Sequence, residues 1–405
     1  MKKIVFIFLF LSLFLAFYSN LDGVGSIVQI LSFSSLLLSA IFSLLFGFVC
    51  KKKITLIELI FLLTGIISCI VSISNSDNLN LLYYSVIFLL SIASFSVISR
   101  VFSFYEFLNI IICSYVFIIF YILIFYFEDY IFSIGGNTVY GQGVIRFKPM
   151  DLHPNLVGFL FSGGVIFLVI KSYLVNGFWK YFYIVNAIIC FSFVFAASAR
   201  AGLMALVVSG LFSLLINLRL KNILKYFKRI LFVAGLVFSI IIFYLDNLVN
   251  YIVDILELKS DTRGVDSGGT GRVDLWKQGL DYISNNNFSN FLFGEGYRYS
   301  SADNIGFSTE NSYITLMIDH GFLFSVIFLF YTIFILFYCA FFSKLRGDVY
   351  LFVFAILLYA LVQSIFNRYL LAIGNPLSIF LFYIYIFFSV RLMGVDHRSK
   401  DKFKS

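Results

Sequence analysis

The stretch STENSYITLMIDHGFLFS, Ser308 to Ser325, sets an acid and an amide, Glu310 and Asn311, before a long apolar run. Asp319 and His320 follow one short helix further on. A carboxylate at such a position can take a proton from a hydroxyl. A second account needs no chemistry. If Thr309 capped a helix, an acid in its first turn would be favoured by the helix dipole alone. Asp319 and His320 would lie ~12 Å along a helix from Glu310 at 1.5 Å per residue. An upright helix would bury both. A short helix over 311–320, lying along the membrane interface and bending at Gly321, is therefore expected.

The arginines form the second group. Arg200 stands in FAASARAGLMAL between two apolar runs, Arg272 ends SGGTGR, Arg298 follows FGEGY, and Arg368 lies in FNRYLLAIGNP near the end of an apolar run. Guanidinium forks bind diphosphate bidentately. Arg200 is the strongest candidate, because its turn is too short to be a solvated loop. Arg146, Lys148 and Lys277 read more simply as solvated or snorkelling charges. His153, in DLHPNLVG, is a lone interfacial histidine, a type that is structural more often than functional. No pair of these residues has metal-ligand spacing. The glycine run Ser267–Arg272 lacks the Gly-Lys-Ser/Thr ending and the preceding strand of a phosphate loop. It reads as a hinge before a helix.

Membrane helices must position these groups. The chain has 405 residues, 61% hydrophobic and only 12% charged, whereas soluble domains carry about a quarter charged residues. Apolar runs of about 20 residues, enough to cross a bilayer, recur from end to end. The fold class is an all-α polytopic membrane protein with about 12 transmembrane helices, roughly 4–19, 27–49, 54–74, 79–98, 106–127, 155–173, 181–197, 201–218, 230–248, 321–342, 349–370 and 376–393. The alternating ten-residue pattern of a barrel is absent. The basic, apolar start MKKIVFIFLFLSLFLAFYSN lacks a small-x-small cleavage site and reads as an uncleaved first helix.

Most of the 29 lysines and arginines fall in segments that are cytoplasmic if both termini are cytoplasmic, which fixes the orientation. The net charge of +8 follows from that bias and does not call for nucleic acid. The chain 1–405 then forms a single integral membrane domain. Its outer segments include a first loop, 128–154, and a large loop with short helices, 249–320, before the tenth helix. A basic cytoplasmic tail, 394–405, ends it. Within the large loop, Val273, Trp276, Leu280 and Ile283 recur at helix spacing. The five cysteines lie in or beside apolar runs and form neither a disulfide framework nor a zinc site.

Helix interiors hold almost no ionisable groups. Glu58 and Glu106 fall near cytoplasmic ends and Asp246 near an outer end. An ion-coupled transporter would need such charges in mid-membrane, so the polar chemistry belongs on the outer side.

The string TENSYITLMIDHGFLFSVIF resembles the signature of the O-antigen polymerase and O-antigen ligase superfamily. There a His or Glu precedes Asn, an aromatic residue and an apolar helix leading to Gly-x-x-small. SARAGLMAL, TGRVDLWKQGL and LFGEGY agree, as do twelve spans with one large loop before the tenth. The resemblance covers most of residues 140–340. It implies a metal-independent, membrane-embedded glycosyltransferase of the GT-C type with no cofactor. Its substrates would be undecaprenyl-pyrophosphate-linked glycans, donor and acceptor, at the periplasmic face of the bacterial inner membrane. A chain-length regulator and a flippase are candidate partners beside the lipid bilayer. The ligase pattern has His before Asn; Glu310 in that place favours the polymerase branch. Glu310, Arg200 and Arg272 are then the candidate catalytic residues, and Arg298, Asn311, Tyr313, His153 and Arg368 the candidate substrate-binding residues. The rival readings are a ligase moving glycan to lipid A-core and, from another class, a lipid-linked oligosaccharide flippase. A flippase needs a polar central cavity and usually has short loops.

Overall fold

The computed structural model describes residues 2–19, 25–46, 54–74, 79–134, 138–139, 143–144, 146–217, 272–346 and 348–392. Their helices are α1 (Lys2–Ala16), α2 (Gly25–Leu45), α3 (Leu56–Ser74), α4 (Leu79–Val101), α5 (Phe104–Phe125), α6 (Phe127–Ile134), α7 (Pro154–Leu174), α8 (Phe178–Ala196), α9 (Arg200–Asn217), α10 (Arg272–Ser284), α11 (Phe288–Phe293), α12 (Ala302–Ile305), α13 (Ser312–Arg346), α14 (Asp348–Ser364) and α15 (Pro376–Leu392). Two two-residue strands, β1 (Thr138–Val139) and β2 (Gly143–Val144), pair antiparallel, Thr138 opposite Val144. Seven of the helices, α2–α5, α7, α8 and α13, are long and apolar enough to cross a membrane. Arg200–Ile216, Val349–Ser364 and Pro376–Val390 are shorter apolar helices. The protein is all-helical in class and polytopic. The expected ninth span, 230–248, Asp246, most of the glycine run at 267–272 and the tail 394–405 lie outside the described residues.

The chain divides into two compact units: residues 1–118, 275–332 and 368–405, and residues 119–274 and 333–367. In the first, α15 packs on α1, α3 and α4 and is buried from Pro376 to Val390. Aromatic rings lock it. Tyr383 stacks on Phe107 at 3.8 Å, and its hydroxyl donates to the Phe102 carbonyl at 3.1 Å. Glu58 lies in the first turn of α3, near a helix end as expected, and is fully buried. Arg100 of α4 grips both its oxygens, Nη2 to Oε2 at 2.8 Å and Nη1 to Oε1, while Ser96 and the Thr55 amide complete its shell. A buried charge pair is tolerable only with every polar atom so satisfied.

In the second unit, α7 packs on α8 and α9, and α9 on α14. A Cβ on Gly202 would come within 2.9 Å of the Ser162 hydroxyl and 3.0 Å of the Gly158 carbonyl. Gly158 in turn abuts the Ala199 methyl. Small residues let membrane helices approach this closely. Tyr359 of α14 donates to the Phe159 carbonyl at 2.8 Å, and Ser209 of α9 to Ala355 of α14 at 2.7 Å.

α13 breaks where the sequence indicated. Gly321 has φ 78 and ψ 171, which separates a short helix, 312–320, from the spanning part. The end of that short helix meets the turn after α11 backbone to backbone. The Glu295 amide donates to the Ile318 carbonyl at 2.9 Å and the Gly296 amide to the Asp319 carbonyl at 3.1 Å. A Cβ on Gly294 would stand 2.5 Å from the Asp319 oxygen, and one on Gly321 would run into the Leu292 carbonyl. Both glycines have φ near +80, a region that other residues enter at a cost. The expectation that the 311–320 helix keeps Asp319 and His320 out of the interior is corrected. They are 3% and 2% exposed, because the 294–300 turn closes over them.

Gly294→Ala and Gly321→Ala should each destabilise the first unit by about 2–4 kcal/mol, from clash plus left-handed strain. Gly210→Ala, with open space around it, should be neutral. Thermal unfolding in detergent checks this; equal melting of all three variants would contradict the junction.

Candidate active site

Glu310 does not sit in the first turn of a helix. The side-chain oxygen of Asn311 accepts from the amides of Tyr313 at 2.9 Å and Ile314 at 3.2 Å. Asn311 is therefore the N-cap, which corrects the Thr309 cap expected from the sequence. Thr309 instead pairs its hydroxyl with that of Thr315 at 2.6 Å. Glu310 precedes the cap with φ 44, a left-handed conformation costing a Cβ-bearing residue about 1–3 kcal/mol. Dipole stabilisation within the helix therefore does not explain its presence. Its side chain is half-buried, with Ser308 Oγ donating to Oε1 at 3.1 Å, and the Trp276 indole reaches its carbonyl at 3.5 Å.

α10 holds this turn. Ile283, Ile314 and Ile318 form a small core, with Trp276, Tyr282 and Phe291 against it, and Gly279 lies on the Ile314 side chain. The buried face of α10 thus runs through Trp276, Gly279 and Ile283. Val273 and Leu280, which share the sequence periodicity, are exposed.

The segment after α14 ties Glu310's turn to Arg298's. The helix ends at Ser364, so Arg368 lies beyond it in non-helical chain rather than in a span. The Leu370 amide donates to Ser312 Oγ at 3.2 Å. The Ile373 amide donates to the Tyr297 hydroxyl at 2.7 Å, which donates to the Leu371 carbonyl at 3.2 Å. Arg298, with φ 68, lays its guanidinium 4.3 Å from the centre of the Tyr84 ring. Arg298 and Arg368 are half-buried, and neither has a carboxylate within ion-pair distance among the described residues. Glu310, Asn311, Tyr313, Arg298 and Arg368 thus share one framework in the first unit.

Sequence reasoning passed over three groups here as site residues. Asp319 accepts from the amides of Arg298 at 3.1 Å and Ser300 at 2.8 Å. His320 stacks on Phe88 at 4.6 Å and shares a 3.2 Å hydrogen bond between Nδ1 and Ser68, while its Nε2 has no partner among the described residues. Glu295, 4% exposed, accepts from Tyr282 at 2.9 Å and from Asn286. The Asp-His-Gly order before the helix break was the available signal. Burial, together with the Glu295 carboxylate, raises the phenols of both Tyr282 and Tyr299. Burial pushes Tyr297 up to about 12.

In the second unit, Arg200 opens α9 just after Ser198, which has φ 51 and is buried. Ala199 rests on Gly158 and Gly202 on the Gly158 carbonyl, so small residues fix where α9 begins. Arg146 is not a solvated charge as expected. It is half-buried and its Nε donates to the Ala197 carbonyl at 2.9 Å, beside the Phe147 amide bonded to Ala196. His153 is exposed and caps α7, its Nδ1 accepting from the Asn155 amide at 3.3 Å. Arg272 begins α10. Among the described residues no three His, Cys, Asp or Glu side chains converge as a metal-ligand set.

The fold is a polytopic helical membrane protein, and each unit carries polar and charged groups at helix ends and turns. Residues 185–329 match the family model described as O-antigen ligase. Over that segment the chain is similar to that family, in agreement with the superfamily its motifs resemble. No curated protein matches the chain.

Two outcomes check this geometry. Asn311→Ala should cost about 1 kcal/mol of stability through the lost cap, and Asn311→Asp should retain it; equal melting of both variants would contradict the cap. A free tyrosine ionises near pH 10, while Tyr297 stays neutral to about 12. The stabilisation this represents is complete below pH 10 and is lost as pH rises toward 12. The phenolate absorbance difference between wild type and Tyr297→Phe should appear only above pH 11; a midpoint at 10 in the folded protein contradicts it.

Proposed function

We propose that the chain is a polymerase of undecaprenyl-pyrophosphate-linked oligosaccharide repeat units, working at the periplasmic face of a bacterial inner membrane to build O-antigen or a related surface polysaccharide. The observation that carries the reading is Glu310, held outside its helix in a strained turn directly before the Asn311 cap. Strain of this kind persists where function uses it. The place is the one where the ligase pattern has His.

Glu310 takes the proton of an acceptor sugar hydroxyl. The hydroxyl oxygen bonds to the anomeric carbon of the donor glycan as the bond from that carbon to the lipid pyrophosphate oxygen breaks. Arg200 and Arg272, with Arg298, meet the charge gathering on the leaving pyrophosphate. Fixed guanidinium groups can do this because they are charged at every working pH. Asn311 holds the turn in register, and Tyr313, Arg368 and His153 are candidates for sugar contact. A ligase reading has support from the description of the matched family.

Glu310→Gln should lower chain extension by about 10²–10⁴-fold with the protein still inserted; Arg200→Ala and Arg272→Ala should each cost about 10²-fold or more. The glycan ladder of a deletion strain separates the readings. Single repeats left on lipid A-core mark a lost polymerase, polymer left on the carrier lipid a lost ligase, and neither outside the cell a lost flippase. Normal long-chain glycan with Glu310→Gln removes Glu310 as the base.

A further inference from the structure

Asp319 is a buried acid that the proposed reaction does not use. It lies one residue before His320 at the end of the 312–320 helix and is 3% exposed. An acid so placed usually pairs with a cation, yet no ion pair to Asp319 falls within 4 Å among the described residues. Both its oxygens go to backbone: Oδ2 accepts from the Arg298 amide at 3.1 Å, Oδ1 from the Ser300 amide at 2.8 Å. Its own carbonyl accepts from the Gly296 amide at 3.1 Å. Three contacts thus fix the turn 296–300 to one residue. Within that turn Arg298 has φ 68, a conformation a residue with a long side chain keeps only when its surroundings impose it. The outcome is directional. The guanidinium lies over Tyr84, with Nη2 near the position a Cβ on Gly374 would take, at 3.4 Å. Because Asp319 binds the backbone, its carboxylate does not hold the guanidinium in an ion pair.

We infer that Asp319 is a positioning residue, which locks the Arg298 backbone so that its guanidinium, seated on Tyr84, is a fixed arm for a diphosphate. Taking that anion as the donor lipid's pyrophosphate rests on the function proposed above; the locking itself does not. Charge-assisted hydrogen bonds to backbone amides are stronger than neutral ones. Replacing the carboxylate with a carboxamide leaves one of the two amides without an acceptor and frees the turn.

The test uses the whole protein in phospholipid vesicles, with phenylglyoxal modification of Arg298 followed by peptide mass spectrometry. In the wild type, inorganic pyrophosphate should slow modification of Arg298. In Asp319→Asn, Arg298 should react about tenfold faster, the loss of one charged hydrogen bond, and pyrophosphate should no longer protect it. Tyr84→Ala, which leaves the Asp319 contacts intact, should also weaken the protection. With a lipid-pyrophosphate-linked donor, Asp319→Asn should raise KM more than it lowers kcat, and should add nothing in an Arg298→Ala background. A purely structural Asp319 would add its cost in that background too. Unchanged Arg298 reactivity in Asp319→Asn overturns the inference. So does absence of pyrophosphate protection in the wild type, a measurement that needs no variant. If modification behaves as stated but no variant or wild type transfers glycan, the inference stands and the polymerase reading fails.

Discussion

The contact between Gly294 and Gly321 is the constraint on which the rest of the first unit depends. A helix end leaves carbonyls without partners, and Gly321 ends the 312–320 helix where water cannot freely supply them. The amides of Glu295 and Gly296 take the carbonyls of Ile318 and Asp319 instead. That exchange needs two segments of the chain to touch through their backbones, which glycines with left-handed φ permit. Once the 294–300 turn is seated there, Asp319 reaches the Arg298 and Ser300 amides, Tyr297 stacks on Phe88 at 4.7 Å, and the Tyr297 hydroxyl gathers the 371–373 segment.

The other end of the same short helix carries Glu310. Asn311 satisfies the first amides, so Glu310 is left outside, with Trp276 on its carbonyl and Ser308 on its carboxylate. One rigid helix therefore presents an acid at its start and, through Asp319, sets a guanidinium at its end. The second unit solves a similar problem with small residues: Gly158, Ala199 and Gly202 interlock and fix the start of α9, hence the place of Arg200.

Much of this was readable in the residues. Spans showed because a bilayer demands long apolar runs, and the break at Gly321 showed because glycine readily takes the left-handed backbone that ends a helix. The cap did not. Thr309 and Asn311 both suit that role, and the amides of Tyr313 and Ile314, which donate to the Asn311 side chain, decide between them. The inward face of α10 was half right: Trp276 and Ile283 pack, whereas Val273 and Leu280 do not, since periodicity counts apolar residues and not the glycine that lets Ile314 approach. Asp319 and His320 were expected at an interface because their cover, the 294–300 turn, is a sequence neighbour only of itself. Arg146 looked solvated because a carbonyl freed at the end of a distant helix leaves no mark in the local sequence.

The proposed reaction joins sugars with fixed protein charge and one acid, a lipid pyrophosphate being the leaving group. The most direct measurement supplies purified protein in vesicles with a lipid-pyrophosphate-linked repeat unit and a strong metal chelator, and counts lipid pyrophosphate released against glycosidic bonds made. Polymer should form with one lipid pyrophosphate released per bond, at a rate the chelator leaves unchanged. Release without bond formation, or transfer that stops when divalent ions are removed, would contradict it.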